Sequence, residues 1–374
     1  MSATGETFSL VPASRPSEHM AKVKDSRFRF IDLFAGVGGI RLSFESVGGE
    51  CVFSSEWDPF AQKTYSVNFG HLPSGDITKI AASEIPHFDV LAAGFPCQPF
   101  SSIGRREGFD HPTQGTLFYD VLRIIKHHKP RAFLLENVAG LTTHDGGRTM
   151  RVIEESLLDL GYDLWHRVLD AANFGVPQHR DRIYIVGLRV TDRKRPPAVF
   201  AGSDLDPNLW SQGVQARRFE FPKPSRKAVG IGQFLETGVT DHSVSKHLQR
   251  VYLFKVNDGR PEIVDRASDF PVKTLVASYH KIQRLTGTFV RDGETGVRLL
   301  TASECKAIMG FPRSFKIPVS RTQMYRQMGN SVAVPVVKAI ARNIALALGE
   351  YEAAPPSRSR RKVSSCFDRL RKGA

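Results

Sequence analysis

A chain of 374 residues, 41% of them apolar, is long enough for two domains, and its 52 Lys and Arg against 38 Asp and Glu, a net +14, favour a polyanionic partner, nucleic acid ahead of membrane. The four cysteines, Cys51, Cys97, Cys305 and Cys366, stand far apart without a CxxC pair, so neither a disulfide framework nor a structural zinc site is expected, and a reducing compartment is the default. No apolar run of about 18 residues and no charged-then-apolar leader pattern occurs, so neither membrane insertion nor export is expected.

Residues 1–27 are polar, lack periodicity and read as a loose tail. Alternation over 27–34 predicts a first strand, which runs into Ala35-Gly-Val-Gly-Gly39 and an amphipathic helix over 40–47. A second strand over 51–55 ends in Glu56-Trp57-Asp58, a helix over 59–68 follows, and Gly75-Asp-Ile-Thr78 closes the next unit. Residues 88–93 read as a buried strand that breaks at Gly94. Behind the break Pro96 and Pro99 bracket Cys97, and Ser101, Ser102 and Gly104 lead into Arg105 and Arg106. A helix over 117–127, a strand over 131–135 ending in Glu136-Asn137, a helix over 149–160 and strands near 164–170 and 182–188 complete the series. Strands alternating with helices of about 10–15 residues argue an α/β fold with a doubly wound, mostly parallel sheet.

Composition shifts near Thr191, where Pro196, Pro197, Pro207, Pro222 and Pro224 lie among scattered charges. Residues 191–298 read as a second, smaller domain of loops and short strands, with β-like pieces at 271–277 and 287–290. A helix over 303–309 with Ser303 as its cap ends at Gly310-Phe-Pro312, and 325–348 holds a Gly-Asn-Ser turn and a final amphipathic helix. The stretch from 351 onward is rich in Lys and Arg and reads as a solvated tail.

Two places on this frame carry chemistry. A thiol has a pKa of about 8.5, and its thiolate is a strong nucleophile. A lone cysteine in a strand is most often structural, but Cys97 sits on a proline-stiffened loop at a strand end, near arginines, where α/β sheets bind ligands. The second place is the turn Gly36-Val-Gly-Gly39, which departs from G-x-G-x-x-G because Arg41 holds the third position. Glu56, 20 residues beyond Gly36, fits a ribose diol; Trp57 suits a purine face, and Asp76 an exocyclic amine. The bland alternatives are a core Trp57 and a helix-capping Asp76. Together these residues favour an adenosine-bearing cofactor, NAD and S-adenosylmethionine fitting equally well.

With those motifs in order, the chain resembles the DNA (cytosine-5) methyltransferases of bacterial restriction–modification systems, from Phe30 to about Leu348. The resemblance rests on Phe34-Ala-Gly-Val-Gly-Gly39, Glu56-Trp57, Asp76-Ile77, Gly94-Phe-Pro-Cys-Gln-Pro-Phe-Ser101, Glu136-Asn137-Val138, Gln178-His-Arg180-Asp-Arg182, Thr274-Leu275 and Gly329-Asn-Ser-Val332. It implies a Rossmann-like S-adenosylmethionine-dependent methyltransferase domain, 28–190 plus 315–350, and an irregular β-rich target-recognition domain with hinge, 191–314. Tails at 1–27 and 351–374 flank them. It implies cofactor contacts from Phe34, Gly36, Gly38, Gly39, Glu56, Trp57, Asp76, Ile77, Pro96, Leu117, Asn330, Ser331 and Val332. Cys97, Glu136, Arg180 and Arg182 become the catalytic set. Gln98, Ser101, Arg105, Thr274 and Leu275 become DNA contacts, with Tyr279, His280, Lys281, Gln283 and Arg284 as candidate base readers.

The chemistry accounts for those residue types. Thiolate addition to C6 breaks the aromaticity of cytosine and makes an enamine whose C5 attacks an electrophilic methyl group. Glu136, otherwise a cap or ion-pair carboxylate, serves at N3 of the base, and Arg180 and Arg182, two apart on extended backbone, point the same way. The base has to leave the duplex to be reached. The expected product is S-adenosylhomocysteine and no metal is expected. The protein is expected to be monomeric and cytoplasmic in a bacterium, associated with the nucleoid, acting on double-stranded DNA beside a separately encoded restriction endonuclease. Two alternatives are a transfer-RNA cytosine-5 methyltransferase, which shares the catalytic set, and a nicotinamide-dependent oxidoreductase, which leaves Cys97, Glu136 and the arginines unexplained.

Overall fold

Strands with apolar residues at successive positions need cover on both faces, and the large sheet has it. The computed structural model describes residues 27–96, 117–191, 196–201, 219–224 and 228–349. In chain order the first elements are β1 (Phe28–Leu33), α1 (Gly39–Glu45), β2 (Gly49–Ser55), α2 (Pro59–Phe69), β3 (Val90–Gly94), α3 (Leu117–His128), β4 (Ala132–Val138) and α4 (Arg148–Asp159). β5 (Tyr162–Asp170), β6 (Asp181–Arg189) and β7 (Val199–Ala201) complete a seven-stranded sheet ordered β2-β1-β3-β4-β6-β5-β7. The period of two divides the strands between two cores. Phe30, Val90 and Leu134 face one with Phe44 of α1, while Ile31, Leu91 and Phe133 face the other with Val121 of α3 and Ile153 of α4.

The sheet is mostly parallel, but β6 runs against both β4 and β5. The connection between β5 and β6 holds only a 3-10 turn, Ala171–Phe174, too short for the crossover that a parallel neighbour requires. The reversal places the first residues of β6 at the carboxyl ends of β3 and β4, with Arg182 in register with Val138 and Gly94 with Glu136.

The smaller unit carries α5 (Lys246–Leu248), β8 (Glu262–Val264), β9 (Thr288–Val290), α6 (Ala302–Met309) and α7 (Arg321–Asn330). Its core joins Ile231, Leu253 and Phe289 to Ile308, Met324 and Met328. The β-like pattern at 271–277 forms no strand; Val272 bridges Gln178 instead, while β8 pairs with β9. Thr301 caps α6 rather than Ser303, its hydroxyl accepting from Glu304 N while the Glu304 carboxylate accepts from Thr301 N. α8 (Val334–Ala347) then packs its apolar side, Val337, Ile340 and Ile344, into the core shared with α1, and the Ser43 hydroxyl donates to the Val334 carbonyl. The carboxyl-terminal helix therefore belongs to the sheet. The chain joins that core at Val332, while Asn68 and Thr64 of α2 already bond Lys316 and Gln327 upstream.

Gly187 of β6 lies under the ring of Phe133, which an added Cβ would meet at 2.1 Å. Gly187→Ala is expected to cost about 1–3 kcal/mol through overpacking. A lower urea midpoint with unchanged slope checks this; an unaltered midpoint refutes it.

Candidate active site

The carboxyl ends of β1, β3 and β4, the start of β6 and the end of α7 surround a cavity of about 440 Å³, a size suited to one small ligand. The turn after β1 gives it a floor. Phe34, Gly36 and Gly38 take positive φ angles of 56°, 54° and 90°, and a Cβ at Gly36 would meet nothing within 4 Å. Glu56, at the end of β2, braces this turn: one carboxylate oxygen accepts from Gly36 N at 2.8 Å and the other from Asp58 N at 2.8 Å. Burial pushes the Glu56 carboxyl upward against those hydrogen bonds. Trp57 beside it lines the cavity and is 72% exposed, which excludes the core reading. At Gly39 a Cβ would meet Val332 Cγ2 at 2.9 Å and Ser331 Oγ at 3.0 Å, so the Asn330-Ser-Val332 segment closes onto the turn and completes that wall.

Pro96 and Leu117 also line the cavity. Gly38 does not; it caps α1 in a left-handed conformation, and a side chain there would strike the Phe69 ring at 2.2 Å. Asp76 and Ile77 stand outside the lining too, and no strand precedes them. The Asp76 carboxylate accepts from Thr78 N and Oγ1 and caps a 3-10 turn, and those bonds hold its pKa down. Ile77 is buried, its carbonyl taken by Arg123.

Glu136 lines the cavity at the end of β4. Its side chain is 12% exposed, and Arg182 Nε lies 3.2 Å from Oε1. A Cβ at Gly94 would come to 3.4 Å from Oε2, so the glycine keeps that oxygen open. Burial raises the Glu136 pKa, and the charges of Arg182 and then Arg180 pull the other way. Asn137 ties the neighbouring strand end in place by donating to the Phe95 carbonyl at 2.9 Å. Cys97, Gln98, Ser101 and Arg105 lie outside the described residues, one residue and more beyond Pro96.

The two arginines divide the work. Arg182 faces Glu136, whereas Arg180 is buried and donates to the carbonyls of Leu275 at 3.1 Å, Gly329 at 2.9 Å and Ser331 at 2.6 Å. Burial, and then the charge of Arg182, lower its pKa to about 10, which leaves it cationic at neutral pH. Gln178 acts alongside, accepting from Leu275 N and donating to the Ile308 carbonyl. The Leu275 side chain is therefore core, with no surface to offer DNA, and Thr274 donates its hydroxyl to the His179 carbonyl. Among the candidate base readers Tyr279 is buried and donates to the Thr288 carbonyl, and Arg284 is buried on Asp258 and the carbonyls of Leu253, Val256 and Arg260. His280, Lys281 and Gln283 retain surface. Asp58, Arg326 and Gln327 line the cavity without having been singled out from the sequence. The signal for Arg326 was its spacing, four residues ahead of Asn330 on one helix.

Sheet and cavity together define an α/β protein with a cavity sized for one small ligand at its strand ends, next to a buried acid–arginine pair. The family described as C-5 cytosine-specific DNA methylase matches residues 28–346. The chain is 57% identical over 333 residues to the type II methyltransferase M.MspI of Moraxella sp, covering 88% of this chain and 74% of that one. It is 56% identical over 317 residues to M.BsuFI of Bacillus subtilis, covering 84% and 72%. In fold it is similar to a Spodoptera frugiperda DNMT2 mutant, with a TM-score of 0.65 and 21% identity over 84% of this chain and 99% of that one. The chain belongs to the C-5 cytosine-specific DNA methylases and is a DNA cytosine-5 methyltransferase. That membership sets the oxidoreductase alternative aside.

Arg180→Met strands three carbonyls, each worth about 1–3 kcal/mol when left unpaired in the interior. A loss of at least about 3 kcal/mol in chemical denaturation is expected, with Arg182→Gln costing clearly less. Arg182→Gln instead removes the nearer cation that favours the Glu136 carboxylate, so the Glu136 midpoint should rise further. A ¹³C titration of labelled glutamate reads it, and a fall would contradict the assignment.

Proposed function

We propose that the enzyme methylates C5 of a cytosine turned out of duplex DNA at a specific short site, through a transient bond between Cys97 and C6. S-adenosylmethionine is the donor used by the family and supplies an electrophilic methyl group. The chain's residues suit it: a carboxylate at Glu56, the open face of Trp57 and a backbone turn without side-chain obstruction at Gly36. Cys97 as thiolate adds to C6, and the ring electrons shift toward N3, where Glu136 meets them. A carboxyl group whose pKa is raised by burial holds a proton for N3 more readily than an exposed one does. C5 then takes the methyl group as the donor's sulfur–methyl bond breaks and S-adenosylhomocysteine leaves. C5 loses its proton to water, N3 returns its proton to Glu136, and the Cys97–C6 bond breaks to restore the aromatic ring and the thiolate.

The observation that carries this reading is Glu136. It is a largely buried acid, paired with Arg182 and opposite Gly94, three residues before the cysteine. In this reading Arg182 steadies the acid and the base, and Gln98, Ser101, Arg105 and Thr274 contact DNA. His280, Lys281 and Gln283 are the residues of the smaller unit proposed to read base edges, since direct readout needs exposed polar groups. The type II relatives support a role as the modification enzyme of a restriction–modification system, beside a separately encoded endonuclease.

The test uses a randomised pool of duplexes carrying 5-fluorocytosine, offered with the methyl donor. A denaturation-resistant adduct is expected with the wild-type protein and none with Cys97→Ala, whose DNA and donor binding stay largely intact. No adduct at any site, or full turnover by Cys97→Ala, refutes the mechanism. Methyl incorporation into RNA in place of duplex DNA refutes the substrate.

A further inference from the structure

We infer that Gln283 selects a guanine in the recognised site, because its amide oxygen is engaged within the protein and only its N–H donors are left for DNA. This deepens the base-reading role proposed for that residue and rests on it. A free glutamine amide offers an acceptor beside a donor, and it recognises adenine by using both at once, on N6 and N7. In this chain the acceptor is already engaged. Gln283 Oε1 accepts from Ser278 Oγ at 3.1 Å and from Thr286 Oγ1 at 3.0 Å, which fills both lone pairs. Neither hydroxyl has another partner among the described residues, so turning the amide over would strand both hydroxyl protons. Nε2 makes no hydrogen bond to the described residues and is not buried, and the residue keeps part of its surface.

The loop that carries Gln283 is anchored on both sides. The buried Tyr279 hydroxyl donates to the Thr288 carbonyl and accepts from Leu300 N, and the buried Arg284 donates to the Leu253 carbonyl and pairs with Asp258. Between these anchors Ile282 is held at φ 53° and ψ 51°, a left-handed conformation that a β-branched residue rarely adopts. Such strain persists only where the surroundings over-determine it, and it gathers at ligand contacts. The Gln283 carbonyl accepts from Gly287 N at 2.8 Å, which closes the turn. The loop stands beside the catalytic cavity: Lys273 Nζ donates to the Leu285 carbonyl at 3.4 Å, and Val276 and Ala277 pack directly behind Gly329 of the cavity wall. In the major groove guanine presents two acceptors, O6 and N7, whereas adenine sets an N6 donor beside its acceptor and cytosine presents a donor. A donor-only amide is therefore attracted to both groups of guanine and opposes the N6 group of adenine, N–H against N–H. A phosphate oxygen is the competing acceptor, and it would take the same N–H groups without regard to sequence.

The recognised site is read from the duplexes that form the 5-fluorocytosine adduct, and each of its guanines and adenines is then replaced singly by the 7-deaza analogue, which still pairs but lacks N7. One guanine is expected at which the replacement lowers kcat/KM of the wild type about fivefold, the scale of one neutral hydrogen bond, and that of Gln283→Ala by less than about twofold. Changing that G·C pair to A·T should cost the wild type about tenfold or more. A Ser278→Ala/Thr286→Val double variant, whose amide is free to turn, should recover part of that loss, a change that a merely structural role would not produce. Absence of any guanine coupled to Gln283 overturns the inference, and so does coupling to an adenine, which would mean that the amide faces the other way. A loss common to all sequences, with the salt dependence reduced by about one phosphate contact, assigns Gln283 to the backbone and overturns it too. Unchanged discrimination by Gln283→Ala at every position removes the base-reading role itself, a result distinct from coupling to a different base.

Discussion

The direction of one strand governs the site. Had β6 joined the sheet parallel to β4 over the same span, Arg182 would stand opposite Ala132, four residues from Glu136, on the order of 13 Å along the strand at about 3.3 Å per residue, and Arg180 farther still. The short connection after β5 forbids a crossover and forces the reversal. The same reversal delivers Gln178 and Arg180, just ahead of β6, to the seam where the smaller unit and the end of α7 meet the sheet.

At that seam one guanidinium is bonded to three carbonyls in two segments far apart in sequence, Leu275 in one and Gly329 and Ser331 in the other. The packing leaves no slack: a Cβ at Gly329 would lie 2.3 Å from the backbone of Val276 and Ala277. A planar fork of five N–H donors suits this junction, and a lysine ammonium on a flexible stem does not. The Gln-x-Arg-x-Arg motif thus combines two jobs. Its first two polar residues hold the two units in register, and only the third addresses the acid.

Much of this was legible in the sequence, and what was not shares a cause. Periodicity exposed the strands and helices of the sheet closely, because a period of two or 3.6 is a local property. Direction is not local: β6 carries the apolar pattern of its neighbours, and only the short connection after β5 marks its reversal. Glu56, Trp57 and Glu136 were readable because each follows an apolar run at a strand end. Asp76 follows no apolar run; its carboxylate accepts from Thr78 N and Oγ1 and caps a 3-10 turn, the capping alternative that the sequence allowed. Thr301-Ala-Ser-Glu304 is a complete capping box legible in the sequence, and it sets the cap two residues ahead of Ser303. Leu275, Tyr279 and Arg284 were unreadable as core, since their burial depends on which loop lies over them.

The electrostatics of the cavity follow from how each charge is compensated. Glu56 is answered by backbone N–H groups, which hold it in place; Glu136 is answered by one guanidinium edge, with Oε2 unpaired among the described residues. Burial raises both carboxyls, yet only the second has a side open to a base. Backbone donors cannot be displaced by a substrate without unfolding the turn, whereas a single Arg–Glu contact can re-form around a pyrimidine edge. Fixed compensation keeps an acid in place, and adjustable compensation leaves one able to change partners. The difference between the two acids is therefore set by what surrounds each, rather than by the carboxyl group they share.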